Sequence, residues 1–337
     1  MNDDRDARAV RLALPWLQEW LHLASEAGQE PALPELQWLV TRARRRRRIA
    51  SRWREWLLEA AGLGEQVLER IPAGPCVRAC FDSAMPDGVW AVAQPVHLAT
   101  AIDHLRLAPF EDLDLDAAEA DELLSTVNSH LAGVGFVLSR GTPGCWMLQC
   151  LEHVECTSFE PEAVVGRNVW NFMPGGRDGP AVRSLMNEIQ MLLHEHPVND
   201  ERQRRGRPAI NSLWLWGFGS ITRPAPRTLP ALSTDDPWLA GLWRLHGVAC
   251  TAATEAGRLL ERPQAGQLVA MGRPAGGDRQ AALAAVDGGI LAVARTAVAA
   301  GHATNLRFLV GDVVFEEDAR SRWRFWKRSV PTASIRA

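Results

Sequence analysis

The sequence predicts an α/β protein whose sheet core is interrupted by a separate α+β segment, and three observations lead there. After a stretch rich in proline (Pro224, Pro226, Pro230), strand-like and helix-like runs alternate to the end of the chain, the rhythm of a parallel or mostly parallel sheet. The chain also opens on a short apolar strand that leads directly into a helix. From Val89 onward the pattern changes to hairpins and longer amphipathic helices, and it changes back after residue 222. The expected division is 1–87 and 223–337 as two halves of one core, with 88–222 inserted between them. A chain of 337 residues is long enough for two domains.

Taken in order, the first strand ends at Leu14, and Pro15 suits a helix start because its missing N–H is not needed there. Leu33 to Val40 reads as a second amphipathic helix running into Arg42 and Arg44–Arg48, where cations favour the negative end of the helix dipole. Residues 51–61 form another helix, ended by Gly62. Cys76–Phe81 reads as a strand and Met85-Pro86-Asp87-Gly88 as a turn.

In the inserted segment, Trp90–Ala93 reads as a strand. Asp116 to Leu131 reads as a helix, capped by Asp114 or Asp116, with Leu123, Leu124, Val127 and Leu131 at helical spacing. Gly135–Ser139 and Cys145–Leu151 form a hairpin around Arg140–Gly144. Pro180 to His194 is a helix and Leu213–Trp216 a strand. In the last part, Asp235-Asp236-Pro237 looks like a helix cap with a first-turn proline. Ala240–Gly247, Cys250–Leu260, Leu268–Met271, Arg279–Ala300 and Asn305–Val310 continue the alternation. Gly272-x-Pro274-x-Gly276-Gly277 suits a turn, with phosphate cradling as the other use of such a loop.

Composition narrows the functional classes. Hydrophobic residues make up 47% and charged residues 23%, ordinary values for a globular protein. The net charge of -3 argues against nucleic acid or membrane as a global partner. Lys327 is the only lysine and tyrosine is absent, whereas arginine and tryptophan abound, a skew expected of a GC-rich genome. The six cysteines (Cys76, Cys80, Cys145, Cys150, Cys156, Cys250) form no Cys-x-x-Cys pair, so buried thiols are expected and neither metal nor cofactor. The opening Met-Asn-Asp-Asp-Arg-Asp does not resemble a signal peptide, no uninterrupted apolar run approaches about 18 residues, and a bacterial cytoplasmic location is expected.

The densest cluster of polar chemistry lies at His196–Gly219. His196, Asn199, Arg202 and Asn211 stand beside Trp214-Leu215-Trp216-Gly217-Phe218-Gly219. Such a grouping builds either a polar pocket or a heavily hydrogen-bonded corner of the core. As a pocket, Arg202 would fork a carboxylate or phosphate, the amides would orient the ligand, and Trp214 or Trp216 would supply an apolar wall. As a corner, His196 is a satisfied core histidine, the amides bond backbone, and the tryptophans, alternating with leucines, pack inward. Arg204, Arg205 and Arg207 read as a solvated loop.

Residues 89–222 resemble the inserted domain of the archaeal-type, cofactor-independent phosphoglycerate mutases. The resemblance rests on Ala118-Glu119, Gly166-Arg167-Asn168, Met173-Pro174-Gly175-Gly176, His196-Pro197-Val198-Asn199, Arg202, Gly206, Ala209 and Asn211-Ser212-Leu213-Trp214-Leu215-Trp216-Gly217-x-Gly219. The whole chain resembles more closely the RpfE-type bacterial regulatory proteins. Here the marks are Leu14-Pro15, Leu33-Pro34-x-Leu36, Gln94-Pro95-Val96-His97-Leu98, Asp103-His104-Leu105-Arg106-Leu107 and Trp323-Arg324-Phe325-Trp326-Lys327-Arg328.

The resemblance implies a core like that of alkaline phosphatase, whose chemistry needs a serine nucleophile and two divalent metals held by Asp and His. The pattern departs from this. Leu14 leads to Pro15-Trp16 rather than to an Asp-Gly metal motif, and no Asp-x-x-x-Gly-His run follows. In Leu309-Val310-Gly311-Asp312-Val313, Asp312 matches one ligand and Val313 stands where a histidine is expected. The expectation is a degenerate phosphatase-like core without a catalytic site, and a regulatory or metabolite-binding role. A small anionic metabolite would dock against His196, Asn199, Arg202, Asn211, Trp214 and Trp216. Two other readings remain open: a metal-dependent phosphomutase or phosphohydrolase with a rearranged site, and a scaffold holding a protein partner through its Trp- and Arg-rich N-terminal helices.

Overall fold

The computed structural model describes residues 9–328 apart from 50–51, 65–70, 83, 85–86, 101–103, 109–112, 223, 226, 262–265, 275–277, 304, 319 and 325. Met85, Pro86, Asp103, Pro226, Gly276, Gly277 and Phe325 therefore lie outside the described residues. In chain order the elements are β1 (Ala9–Leu14), α1 (Leu17–Glu26), α2 (Pro34–Arg42), β2 (Arg45–Arg48), α3 (Trp53–Ala60), α4 (Ala73–Phe81), β3 (Val89–Val96), β4 (Leu98–Thr100) and β5 (Leu105–Leu107). Then come α5 (Ala117–His130), β6 (Phe136–Thr142), β7 (Cys145–Cys150), α6 (Gly179–His194), α7 (Pro197–Arg204) and β8 (Ser212–Gly219). The last part holds β9 (Ala231–Thr234), α8 (Pro237–Leu245), α9 (Ala256–Glu261), β10 (Gln267–Ala270), α10 (Arg279–Val286), a π turn (Asp287–Leu291), α11 (Ala292–Ala299), β11 (Asn305–Val310) and β12 (Val313–Asp318). The chain separates into two compact units, Met1–Leu68 with Pro226–Ala337, and Glu69–Ala225.

The first unit is built on a six-stranded mixed sheet in the order β2-β12-β11-β1-β10-β9. β11, β1, β10 and β9 run parallel, with Ala13 opposite both Ala270 and Leu309. β12 and β2 close one side antiparallel. A central parallel strand must be covered on both faces, and β1 meets this with Leu12, Ala13 and Leu14 wholly buried. Val10, Leu12 and Leu14 pack with residues of α1, α2, α9 and α11. Arg11, from the alternate face, donates to the Trp56 carbonyl of α3. The α/β class expected from sequence is thus the class observed.

Two local devices position these helices. Asp236 caps α8 by accepting from the Leu239 N–H at 2.8 Å, and Pro237 occupies the position where no N–H is needed. α2 opens on Leu33 and Pro34 without a side-chain cap of its own. Asp287, at the start of the π turn, supplies one from 251 residues away, accepting from Leu36 N–H at 2.8 Å and Glu35 N–H at 3.1 Å. Burial pushes the Asp287 carboxyl up, and those two bonds and Arg295 oppose the rise. Arg279–Ala299 is long and apolar enough by composition to cross a membrane; its Leu283, Val286, Ile290, Leu291, Ala294, Ala297 and Val298 are buried in the unit's core.

Arg44–Arg48, read from sequence as the charged end of a helix, departs from that reading. The chain turns extended at Ala43, and Arg45–Arg48 becomes an edge strand paired antiparallel with β12, Arg48 opposite Val313. An edge strand need bury little, so its sequence carries no apolar alternation to reveal it.

The second unit holds a four-stranded antiparallel sheet, β6-β7-β3-β8. Ala91, Ala93, Trp146, Leu148, Leu213 and Leu215 pack with residues of α5 and α6 in its core. Asn128 of α5 bonds both backbone groups of Leu138, at 2.8 and 2.9 Å, which ties the edge strand β6 to that helix. α4 lies against β3 and β8. Cys76–Phe81, expected as a strand, is part of this helix: Cys76, Val77 and Cys80 recur at helical as well as strand spacing, and small residues at Ala73 and Gly74 let the helix sit on the sheet. A Cβ at Gly74 would stand 2.2 Å from the Trp90 carbonyl oxygen.

Candidate functional site

The motif His196–Gly219 starts where α6 ends. His196 is the N-cap of α7: its Nδ1 accepts from Val198 N–H at 3.2 Å, and its Nε2 lies 2.9 Å from Thr126 Oγ1. Pro197 follows at the first helical position. Asn199 donates from Nδ2 to the Leu193 and Ile210 carbonyls at 2.7 and 2.9 Å, and its Oδ1 accepts from Ile210 N–H at 2.7 Å. Asn211 pairs both ways with the Leu98 backbone, at 2.7 and 3.0 Å. His97 meets the Ala209 carbonyl through Nδ1 at 2.8 Å.

Arg202 is wholly buried. Its Nε donates to the Pro208 carbonyl at 2.8 Å, its Nη1 to Glu119 Oε2 at 2.5 Å, and its Nη2 to the Leu113 carbonyl. Glu119 is held by a capping box at the start of α5, where Asp116 Oδ1 accepts from Glu119 N–H at 2.9 Å. A buried guanidinium needs a counter-charge and partners for its remaining N–H groups. Here the chain's own carboxylate and carbonyls supply both.

Trp214 is buried and donates from Nε1 to the Phe159 carbonyl at 2.8 Å. Trp216 is half-buried, and its Nε1 is enclosed without a hydrogen-bond partner. Five of the six residues expected around a ligand thus come together as a hydrogen-bonded corner of the second unit, their polar atoms bonded to the chain itself at α7, β8 and the loops between them, while Trp216 Nε1 makes no such bond. The residue that sequence reasoning left without a role is Glu119; a buried arginine 83 positions away is what it serves.

A cavity of about 310 Å³ does open in this unit, on the sheet face that α4 partly covers, lined among others by Arg78, Phe81, Asp82, Trp90, Ser139 and Gln149. Arg78 binds Asp82 at 2.5 Å and stacks over Trp90 at 5.0 Å. Hydrogen bonds from Ala84 N–H and Arg78 hold the Asp82 carboxyl below its usual range. These residues come from four separate elements, one of them read from sequence as a strand, and no motif links them.

In the first unit, the carboxyl ends of the parallel strands are where an open α/β sheet places its ligands. The acidic residues there are Asp235 and Asp236 after β9, and Asp312 after β11. Asp236 Oδ2 accepts from Arg54 Nε and Nη2 at 3.2 and 2.7 Å, in a pair that is nearly buried. Asp312 pairs with Arg48 at 3.0 Å. Asp235 Oδ1 accepts from Ala253 N–H at 3.1 Å. After β1, Trp16 donates across the edge to the Met271 carbonyl at 3.0 Å. Val313 is a buried strand residue of β12. Among the described residues no group of three or more His, Cys, Asp or Glu side chains could hold a metal ion. The donors described at this edge do not fit a two-metal centre, because the nearly buried carboxylate of Asp236 is already engaged by Arg54. Burial pushes the thiols of Cys150 and Cys156 up to about 12 and about 11, so both are protonated at neutral pH.

No protein-family profile matches the chain. It is 27% identical over 129 residues to the 2,3-bisphosphoglycerate-independent phosphoglycerate mutase of Methanosarcina barkeri, covering 37% of this chain and 32% of that protein. It is 26% identical over 190 residues to a probable enzyme of the same name from Geobacter sulfurreducens, covering 49% of this chain and 47% of that one. The chain therefore spans about a third to a half of the length of these curated relatives. Among solved structures, the cofactor-independent phosphoglycerate mutase of Thermoplasma acidophilum aligns over 92% of this chain and 89% of its own, at a TM-score of 0.43 and 15% identity. A protein from Pyrococcus horikoshii aligns over 93% and 87%, at 0.44 and 13%. Over the matched segments, this chain is homologous to the cofactor-independent phosphoglycerate mutases.

Proposed function

We propose that the chain is a regulatory protein of the RpfE type, descended from a phosphoglycerate mutase and no longer performing two-metal phosphoryl transfer. The observation that carries this reading is the Arg54–Asp236 pair at the carboxyl edge of the first unit's sheet. Two-metal chemistry needs carboxylates open to a cation, so that the metals can activate the nucleophile and neutralise the phosphoryl group. Here a guanidinium at 2.7 Å, in a nearly buried pair, stands against that carboxylate in place of a metal. Arg48 also pairs with Asp312, at 3.0 Å in an exposed bridge, and Val313 beside it brings no imidazole. The phosphorylated three-carbon acid named for the relatives would on this reading be sensed rather than converted. His196, Asn199, Arg202, Asn211 and Trp214 contribute bracing to it through hydrogen bonds to the chain itself.

The test is an assay of the purified chain with 3-phosphoglycerate at saturating Mg²⁺ or Mn²⁺, paired with a thermal melt in the same mixtures. A regulatory relative gives no conversion to 2-phosphoglycerate but melts higher with the phosphorylated acid, by about 2.7 kcal/mol of stabilisation at 100 times its dissociation constant. Metal-dependent conversion would replace this reading with that of an active phosphomutase.

A further inference from the structure

We propose that the cavity between the last turn of α4 and the outer face of β6 and β7 is a binding site for a small uncharged molecule with a flat ring and a carboxamide or cyclic-amide edge. The site lies wholly in the second unit. It goes beyond the regulatory reading and does not depend on what the carboxyl edge of the first unit's sheet does.

Strand register sets the floor. Val137, Gln149 and Trp90 stand opposite one another across β6, β7 and β3, and Ser139 stands opposite Met147 in the next row. Opposite residues of an antiparallel sheet share a face, and successive residues along a strand do not. These five side chains therefore lie on the face turned away from Leu138, Leu148 and Ala91 of the core, and all five line the cavity.

The last turn of α4 supplies the wall. Phe81 rests so closely on Gly141 that a Cβ there would stand 2.2 Å from its Cε2. The ring is thus seated on backbone, yet 36% of Phe81 stays exposed, as does 44% of Val137 on the floor. The apolar surface is formed before any ligand arrives. A volume of about 310 Å³ stands at the small end of ligand pockets, which run from about 300 to 1,000 Å³, and suits a single ring system.

Charge and hydrogen bonding select what fits. The charged lining residues are Arg78, Asp82 and Arg140. Arg78 pairs with Asp82 at 2.5 Å, and the bonds to that carboxyl keep it ionised at neutral pH. Arg140 pairs with Asp121 at 2.9 Å and donates to the Ala117 carbonyl at 3.2 Å. Each cation already faces a carboxylate of the chain, so the cavity has no excess charge with which to draw an ion. The lining's other polar side chains are Ser139 and Gln149, half-buried and, among the described residues, without a hydrogen bond. They are diagonal neighbours about 7–8 Å apart, within reach of one ligand group. Both donate and accept. An amide edge presents a donor beside an acceptor, satisfies the Gln149 carboxamide in both directions and leaves a lone pair for Ser139. A hydrocarbon would strand both side chains, and a carboxylate would offer acceptors alone.

The experiment is saturation-transfer NMR and thermal melting of the full chain with nicotinamide, benzamide and uracil, beside nicotinate, which has the shape of nicotinamide but carries a charge. At least one of the three amides should bind, and nicotinamide at least tenfold more tightly than nicotinate. Gln149→Leu should weaken amide binding at least tenfold and Ser139→Ala severalfold, while both melt like the parent without ligand. Should Gln149→Leu disturb folding, Gln149→Met, which keeps the length of the side chain, carries the same test. Binding by none of the amides, equal binding by parent and variants, or nicotinate held as tightly as nicotinamide would each overturn the proposal.

Discussion

Arg202 and Glu119 meet at 2.5 Å inside the second unit, the arginine wholly buried and the glutamate held at the first turn of α5. The pair joins two segments 83 residues apart and gives a guanidinium that would suit an anionic ligand a structural counter-charge instead. Removing one member of a buried pair leaves the other charged and unpaired, which typically costs about 3–5 kcal/mol. Arg202→Ala is therefore expected to lower stability by about that amount, read as a shift of the urea midpoint. Arg202→Lys should recover little, because an ammonium cannot reach Glu119, Pro208 and Leu113 together. A melt unchanged by Arg202→Ala would mean that the side chain faces solvent and is available to a ligand after all.

Gly74 lets α4 lie directly on β3. An added methyl group would fall 2.2 Å from the Trp90 carbonyl oxygen, a backbone atom that cannot turn aside. Gly74→Ala should force the helix off the sheet and cost on the order of 1–3 kcal/mol, the usual range for overpacking. Denaturation monitored by near-UV signals should show the loss. Gly64→Ala, with nothing within 4 Å of the added carbon, is the control and should stay close to the parent.

How far the fold was legible in the sequence depended on how each element is stabilised. α5 and the β6–β7 hairpin could be read because local signals coincide: Asp116 and Glu119 form a capping box, and the apolar spacing agrees with it. α8 was legible for the same reason at Asp236-Pro237. α4 was misread because its position on the sheet is set by the smallness of Ala73 and Gly74, which leaves no periodic trace. β2 was missed because an edge strand made of arginine has no apolar face. At the candidate site the residue cluster was legible, but its orientation was not. Whether Arg202 points at a ligand or at Glu119 depends on a contact across 83 residues that neither motif alone encodes.

Asp287 offers a long-range helix cap that can be tested directly. It supplies the oxygens that accept from Glu35 and Leu36 N–H at the start of α2. Asp287→Ala should cost about 1–2 kcal/mol, as for loss of an N-cap, and should raise hydrogen exchange at the first turn of α2 before that of β1. Asp287→Asn keeps one acceptor oxygen and should lose less. If exchange rises uniformly or not at all, the cap is not what holds α2 in place.

Glu317 contributes a pH dependence to the first unit. It is buried to 1% exposure in β12, and both its carboxylate oxygens are enclosed without a hydrogen-bond partner. Burial pushes its carboxyl from 4.5 up to about 8, against the pull of Ser321, Arg324 and Lys327. The native state therefore holds a proton between pH 4.5 and about 8 that the unfolded chain has already released. Stability from this group is full below the unfolded value and is lost as pH rises through the folded one, with a slope of up to about 1.4 kcal/mol per pH unit in that window. Glu317→Gln keeps the shape without the titration. The variant should flatten that slope and gain stability over the parent most clearly above pH 7. Parallel pH profiles in parent and variant would show that Glu317 ionises in the native state at its ordinary value, and that Arg324 and Lys327 reach it more closely than the burial of its carboxylate implies.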